Sequence, residues 1–324
     1  MKIFPTEKKR ILLVCMGFTI LFLVTNYFLK NNRYKTTFVY QFYRCCTGNK
    51  QTVLRLYKPI DFRVDFFGMI YEGRSGNFID DDILYNGAQE KYILFFLRDV
   101  ADSLEKKGVV FFDIGANVGQ HSLFMSRLVK EVHAFEPYPP VLDRFRKMVK
   151  INRIDNIFIH PVGLGNQNGK LPFFEPPDYN LGAGSFVSGF DRKNNDNTMP
   201  IVIGDELLKK GGISRVDIIK CDIEGYEKQA LLGLKCTLIK NRPIFVMELN
   251  LGLEESFQSI DDFYATFPPD YEFLSFCAGD AYTGHYELCQ YDGLNFEKKQ
   301  GGYNLVVYPI EKKKYITLEN KNEN

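Results

Sequence analysis

Four acidic residues stand at, or one or two positions beyond, the ends of short apolar runs. Asp113 follows Val109-Val110-Phe111-Phe112, and Glu136 follows Val132-His133-Ala134-Phe135. Asp222 follows Val216 to Cys221, and Glu248 follows Ile244-Phe245-Val246-Met247. Asp113 opens a turn with Gly115 and Gly119, where backbone can approach a ligand that a Cβ would exclude. A dinucleotide fingerprint from Gly115 would need glycines where Asn117 and Gln120 stand, so the pyrophosphate reading is weak. A carboxylate at 113 would repel a pyrophosphate but suits a ligand ammonium or sulfonium. Glu136 comes 23 residues after Asp113, the placement of an acid that hydrogen-bonds ribose hydroxyls. A ligand with a ribose and a positive charge but no phosphate points to S-adenosylmethionine. The bland alternative is that each acid caps the helix that follows it. It fits one position better than it fits two flanking a glycine turn.

The elements that must hold these acids follow from periodicity. Gln89 to Leu104 reads as a helix, with Tyr92, Ile93, Phe96, Leu97 and Val100 on one side and Gly108 closing it. Residues 120–130, 139–152 and 224–234 read as further helices, the last with Ala230, Leu231 and Leu234 inward. The apolar runs, with Ile157 to His160 and Tyr303 to Tyr308, read as buried strands. Residues 163–199, rich in Gly, Pro and Asn, read as mostly loop with one hairpin. Strands alternating with helices imply right-handed crossovers and a sheet covered on both faces. Ligands of such sheets bind beyond the carboxyl ends of the strands, which is where the four acids stand.

The whole chain sets outer limits. Its 324 residues allow one large domain or two small ones. With 41 Lys and Arg against 40 Asp and Glu, the net charge of +1 argues against a nucleic-acid partner. Seven Cys, none in a CxxC pair, exclude a disulfide scaffold and a zinc ribbon. Cys277 and Cys289 are able to pair in an oxidising compartment. Cys45-Cys46 offers a palmitoylation site, although unmodified thiols are the simpler reading. Ile11 to Leu29 carries no charge over 19 positions; as a helix it would span about 28 Å, the depth of a bilayer core. The run is too long for a signal peptide and leaves through Asn26-Tyr27-Phe28-Leu29-Lys30, so it reads as an uncleaved anchor. Basic residues balance on its two sides. The short leading tail favours a cytosolic N-terminus and a lumenal or extracytoplasmic body, although residues 30–324 carry no N-glycosylation sequon.

Taken together, the motifs resemble the FkbM family of S-adenosylmethionine-dependent methyltransferases. Asp113-Ile114-Gly115-Ala116-Asn117-Val118-Gly119 is similar to that family's first motif and Ala134-Phe135-Glu136-Pro137 to its second. Lys220-Cys221-Asp222-Ile223-Glu224-Gly225-Tyr226-Glu227 resembles its lysine-x-aspartate-x-glutamate-glycine block. The strand from Arg242-Pro243 to Glu248 and the Gly182-Ala183-Gly184-Ser185 turn are also similar. The likeness covers roughly residues 86–250, weakening to about 308.

The resemblance implies an α/β class I methyltransferase (Rossmann-like) fold. Its sheet would have seven mostly parallel strands with helices on both faces, here preceded by a single transmembrane helix. The organisation expected is a tail at 1–10, the anchor at 11–29, a stem and lead-in at 30–85, the methyltransferase domain at 86–310 and a solvated charged tail at 311–324. The resemblance further implies O-methyl transfer to a sugar, glycan or small-molecule hydroxyl. Asp113, Gly115, Asn117 and Gly119 would hold the methionine part of the cofactor, and Glu136 the ribose. Asp222 and then Glu224 are the candidate general bases. A divalent metal such as Mg²⁺ on Asp222 and Glu248 is an alternative way to activate the hydroxyl. His121 reads as a satisfied first-turn histidine, Glu227 as surface charge and Cys221 as a buried thiol. Aromatic residues within 263–286 are candidates to stack on a sugar acceptor. The rival from another class is a membrane-anchored glycosyltransferase using Asp80-Asp81-Asp82 to hold a metal and a nucleotide sugar. A charged, helix-capping turn is the preferred reading of that triplet.

Overall fold

The computed structural model describes residues 59–104, 108–188, 192–193, 196–251, 256–293, 296 and 302–320. The proposed anchor at 11–29 lies outside them, and no helix among the described residues is long and apolar enough to cross a membrane.

Eight strands form the main sheet. They are β3 (Val110–Ile114), β4 (Glu131–Phe135), β5 (Ile157–His160), β9 (Ile218–Cys221), β10 (Ile244–Leu249), β11 (Tyr271–Gly279), β12 (Tyr286–Gln290) and β13 (Tyr303–Pro309). Their order across the sheet is β12-β11-β13-β10-β9-β3-β4-β5. The five from β10 to β5 are parallel, while β13 runs antiparallel between β10 and β11, and β12 antiparallel on the edge. Reversal of strand order between β9 and β4, with β3 central, is the switch point at which an open α/β sheet binds ligands. This is a class I methyltransferase-like arrangement with one strand more than the expected seven. The extra member, β12, folds back from β11 as a hairpin, and the Cys277–Cys289 disulfide joins the two strands.

Helices cover both faces. On one lie α1 (Phe78–Asn86), α2 (Lys91–Ser103), α3 (Gln120–Ser126) and α4 (Pro139–Ile151). On the other lie α5 (Gly204–Gly211), α6 (Glu227–Gly233), α7 (Lys235–Asn241) and α8 (Ile260–Thr266). The sheet thus separates two apolar cores. In α2, Ile93, Leu94, Phe96, Leu97, Val100 and Ala101 are buried at the spacing of an amphipathic helix.

Three regions differ from expectation. The stem and lead-in assigned to 30–85 includes, in its described part, the hairpin β1 (Asp61–Phe66) and β2 (Met69–Arg74) as well as α1. Phe66, Met69, Tyr71, Ile79 and Ile83 belong to the first core, so these residues are part of the domain. Period-two alternation in strands this short is hard to separate from aromatic-rich irregular chain. The region expected to be mostly loop, 163–199, instead holds β6 (Gly163–Gly165) and β7 (Gly169–Pro172), which with β8 (Thr198–Ile203) at its end form a small sheet in the order β6-β8-β7. Finally, the tail is not solvated throughout. Residues Ile310–Tyr315 form a 3-10 helix, and Asn320 is buried, its Oδ1 accepting from the Tyr286 N–H.

Candidate active site

Strand alternation sets which side chains meet. In β3, Val110, Phe112 and Ile114 enter one core and Phe111 the other, so Asp113 shares the face of Phe111. Parallel register places Asp113 beside Lys220 of β9, and Lys220 beside Val246 of β10. Glu248, two residues on, therefore emerges on the same face, opposite Asn304 of β13. A row of charged and polar groups is thereby laid along the carboxyl edge under α1 to α3.

A hollow of about 310 Å³ opens above this row. Its walls include Asn117, His121, Lys220, Asp222, Glu224 and Glu248. Asp82 and Glu90 complete an acidic rim. A tighter slot adjoins it, sharing Gly115, Asn117, Gly182 and Asp222, and walled by Phe135, Glu136, Leu164, Phe173 and Phe186. The two form one bent space, polar at one end and largely apolar at the other. Gly115 makes the bend possible. It has φ +81°, and a Cβ there would lie 1.9 Å from the Asp222 carbonyl oxygen.

Glu136 sits in the slot, its backbone N–H bonded to the His160 carbonyl. Its Oε2 accepts the N–H of Asn117 (2.9 Å) and its Oε1 the N–H of Tyr138 (2.8 Å). Each oxygen keeps a second lone pair, so the carboxylate has one acceptor for each hydroxyl of a diol. Burial raises its pKa to about 7 against the pull of those two N–H donors.

At the polar end, Asp222, Glu224 and Glu248 each offer an oxygen within 4.8 Å of the others. Lys220, almost fully buried, places Nζ 2.9 Å from Asp222 Oδ2. Burial opposes charge on Asp222, but the Lys220 charge and hydrogen bonds from Glu248 and Lys220 outweigh it and hold the pKa below the usual value. Glu248 goes the other way. Burial and the Asp222 charge drive its pKa well up, so it carries the shared proton. Glu224 adopts a left-handed backbone (φ 59°), and its carboxylate meets the guanidinium of Arg192 at 2.9 Å. Burial and the Asp222 charge raise its pKa to about 7. The loop carrying Asp222 and Glu224 is tied from beneath by Glu227, whose Oε1 accepts the N–H groups of Ile223 and Gly225 at 3.1 Å each. Glu227 is thus fully buried and not surface charge.

Asn117, Glu136, Asp222, Glu224 and Glu248 all reach the bent space, as does Gly115. Asp113 and Gly119 do not line it. The Asp113 side chain turns toward α3, where its Oδ2 accepts the Ser122 hydroxyl at 2.6 Å. Gly119 packs against Phe145; a Cβ there would lie 2.0 Å from the ring. Both serve the turn rather than facing a ligand. His121 is buried as expected but not satisfied, since its Nε2 has no hydrogen-bond partner among the described residues. Burial and nearby Lys220 lower its pKa to about 3, so the ring is neutral. Cys221 is a buried thiol of β9.

The Asp80-Asp81-Asp82 triplet is built into the fold. Asp80 accepts the Tyr71 hydroxyl (2.7 Å) and the Arg144 guanidinium (2.6 Å), and Asp81 accepts the Gly76 N–H (2.9 Å). These bonds engage Asp80 and Asp81, and of the triplet only Asp82 lines the acidic hollow, so it does not present the paired carboxylates that a nucleotide-sugar metal would need. Residues not anticipated from the sequence are Glu90, Arg192 and Asn304. Asn304 Nδ2 donates to Glu90 Oε1 at 2.9 Å, and burial together with the Asp222 charge raises the Glu90 pKa to about 7. Lys220 carried a signal, being two positions before Asp222 on a strand and hence on the same face.

An open α/β sheet with a buried carboxylate just beyond β4 and a carboxylate cluster beyond β9 and on β10 has the architecture of the methyltransferase class. The chain belongs to the FkbM methyltransferase family, matching the Methyltransferase FkbM domain over residues 113–274, half its length. It is 28% identical over 149 residues to the hexuronic acid methyltransferase AglP of Haloferax volcanii, covering 45% of this chain and 57% of that protein. It is 26% identical over 164 residues to the 2-O-methyltransferase NoeI of Sinorhizobium fredii, covering 46% and 66%. The match therefore spans less than two thirds of either relative. Among solved structures, methyltransferase FkbM from Methylobacillus flagellatus aligns with a TM-score of 0.40 at 16% identity, covering 62% of this chain and 44% of that one.

Proposed function

We propose that the chain is an S-adenosylmethionine-dependent O-methyltransferase acting on a hydroxyl of a sugar or glycan, held at a membrane by residues 11–29. The observation that carries this reading is the bent space itself. An apolar slot with a diol-binding carboxylate, Glu136, runs into an acidic hollow at Asp222 and Glu224. The slot fits a nucleoside, because each Glu136 oxygen keeps a lone pair after its backbone bond and Phe135, Leu164 and Phe173 offer apolar walls for a base. When bound, S-adenosylmethionine would supply a methyl group already activated by its sulfonium.

This chain's own work is then positioning and proton removal. Gly115 and Asn117 shape the bend, and the acidic hollow favours the positive end of the cofactor. Glu224 is the better general base of the two candidates. Its pKa of about 7 suits the task, whereas Lys220 makes Asp222 a weak base but a permanent anion. Arg192 fixes the Glu224 carboxylate, and Asp222 orients the acceptor hydroxyl. The relatives named for hexuronic acid and 2-O methylation favour a sugar acceptor. The Cys277–Cys289 disulfide favours an oxidising, extracytoplasmic location for the domain.

Calorimetric titration of the full chain with S-adenosylmethionine tests the reading. Binding that weakens in Glu136→Gln supports it, and no binding by the wild-type chain overturns it. A second reading, with a divalent cation on Asp222, Glu224 and Glu248, rests on their clustered oxygens. Lys220 and Arg192 already contact two of the three carboxylates, so EDTA is expected to leave methyl transfer unchanged. Loss of activity on chelation, restored by Mg²⁺, would establish the metal route.

A further inference from the structure

A second and larger cavity, of about 740 Å³, lies beside the acidic hollow, between the β1–β2 hairpin and α4. Its size is in the range of sites that enclose a small organic ligand. The two spaces share one thin wall made of two crossing segments. Asn77 lines the cleft while Phe78 and Ile79 line the hollow, and Leu181 lines the cleft while Asn180 and Gly182 line the hollow. The Phe78 N–H donates to the Tyr179 carbonyl at 2.9 Å and closes that wall. The two segments also carry two exposed aromatic residues, Phe78, which lines the hollow, and Tyr179, 48% and 57% exposed.

The lining says what could occupy the cleft. Its cations are already opposed by carboxylates. Arg63 and Lys147 meet Glu72, Arg74 meets Asp61, and Arg144 meets Asp80, at 2.5 to 3.0 Å. With Asp178 the lining holds four carboxylates against four cations, so it has no net charge with which to select a phosphate or a polyanion. What remains is a dense set of donors and acceptors, suited to a neutral polyol. Asn77 lines the cleft at 7% exposure, and its buried Nδ2 has no hydrogen-bond partner among the described residues. The exposed aromatic residues Phe78 and Tyr179 would supply apolar contact to sugar rings bound beside the wall.

We propose that this cleft is a glycan subsite. The acceptor would be a neutral oligosaccharide whose methylated unit enters the acidic hollow while neighbouring units cross Phe78 and Tyr179 and settle between Arg74 and Arg144. The inference rests on the sugar-methyltransferase reading and specifies its acceptor. A free monosaccharide fills only the hollow; a chain of three units fills both spaces.

The test uses the full chain with S-adenosylhomocysteine and a panel of gluco-, manno- and N-acetylglucosamine oligosaccharides one to four units long. Binding is measured by calorimetry, and methyl transfer with labelled S-adenosylmethionine. For the series that binds, affinity is expected to rise at least tenfold from one unit to three. Tyr179→Ala should remove roughly three- to tenfold of that gain and leave monosaccharide and cofactor binding untouched. Arg74→Gln, on an exposed side chain, should act in the same direction and guards against an effect peculiar to Tyr179. Equal affinity for every length would overturn the subsite and leave sugar methylation standing. Cofactor binding with no sugar of any length bound would overturn both, and the cofactor titration reports that case separately.

Discussion

Single residues divide the chemistry into tasks that can be separated. Glu136 serves binding, so Glu136→Gln replaces a charged acceptor by a neutral amide whose NH₂ opposes a backbone N–H. The expected loss is about 1.5–3 kcal/mol of cofactor affinity, measured by calorimetry. Glu224 serves proton removal, so Glu224→Gln should leave cofactor affinity in place and lower kcat roughly 10²- to 10⁴-fold. The sign of the pH response follows from its raised pKa. The base is active only when ionised, so kcat should climb as pH rises through about 7, the value at which burial and the Asp222 charge set Glu224. A pH profile that stays flat across that range, or one that survives unchanged in Glu224→Gln, would move the base elsewhere. Asp113 illustrates the reverse case. Its place before a glycine turn suggested a ligand contact, yet its carboxylate holds Ser122 of α3, so Asp113→Asn should alter stability more than cofactor affinity.

At the scale of elements, the turn after β3 and the edge hairpin carry the most specific expectations. Gly115 has a left-handed backbone and no room for a methyl group beside the Asp222 carbonyl, so Gly115→Ala forces β3 and the 222–225 loop apart. Both cofactor binding and the melting temperature should fall. The β11–β12 hairpin is closed by a disulfide across a sequence separation of 12. Cys289→Ser should cost about 3 kcal/mol in the chain-entropy picture, seen as a lower denaturation midpoint that reductant reproduces in the wild type. These elements also show what the sequence could convey. The parallel strands were legible because a strand buried on both faces is a continuous apolar run; β4 and β9 end directly before their acids, and β3 and β10 run one residue past theirs. Face and register were not. Which way Asp113 points, and that Asn304 stands opposite Glu248 and reaches Glu90, depend on strand pairing between segments more than fifty residues apart. The β1–β2 hairpin escaped notice because its alternation is brief and one of the helices it packs against, α4, is remote in sequence.

For the whole molecule, the cost of gathering carboxylates at one sheet edge should be visible in its stability. Glu90, Glu136, Glu224 and Glu227 all have pKa values raised from 4.5 to about 7, in each case chiefly by burial. A carboxyl whose folded pKa lies above its unfolded one binds protons better when folded. Folding is therefore favoured at low pH, and that advantage disappears as pH rises from about 4.5 through 7. Asp222, with its pKa lowered, contributes the opposite sign below pH 4, outside this window. The ligand-free chain should accordingly melt at a lower temperature at pH 8 than at pH 6. Glu227→Gln should reduce the difference without touching the bent space, since Glu227 lies beneath the loop and lines neither cavity. A cationic cofactor placed among the ionised acids should restore part of the loss, so the shift in melting temperature on adding S-adenosylmethionine should be larger at pH 8 than at pH 6. An equal shift at both values would mean that the acidic edge is not what grips the ligand's positive charge.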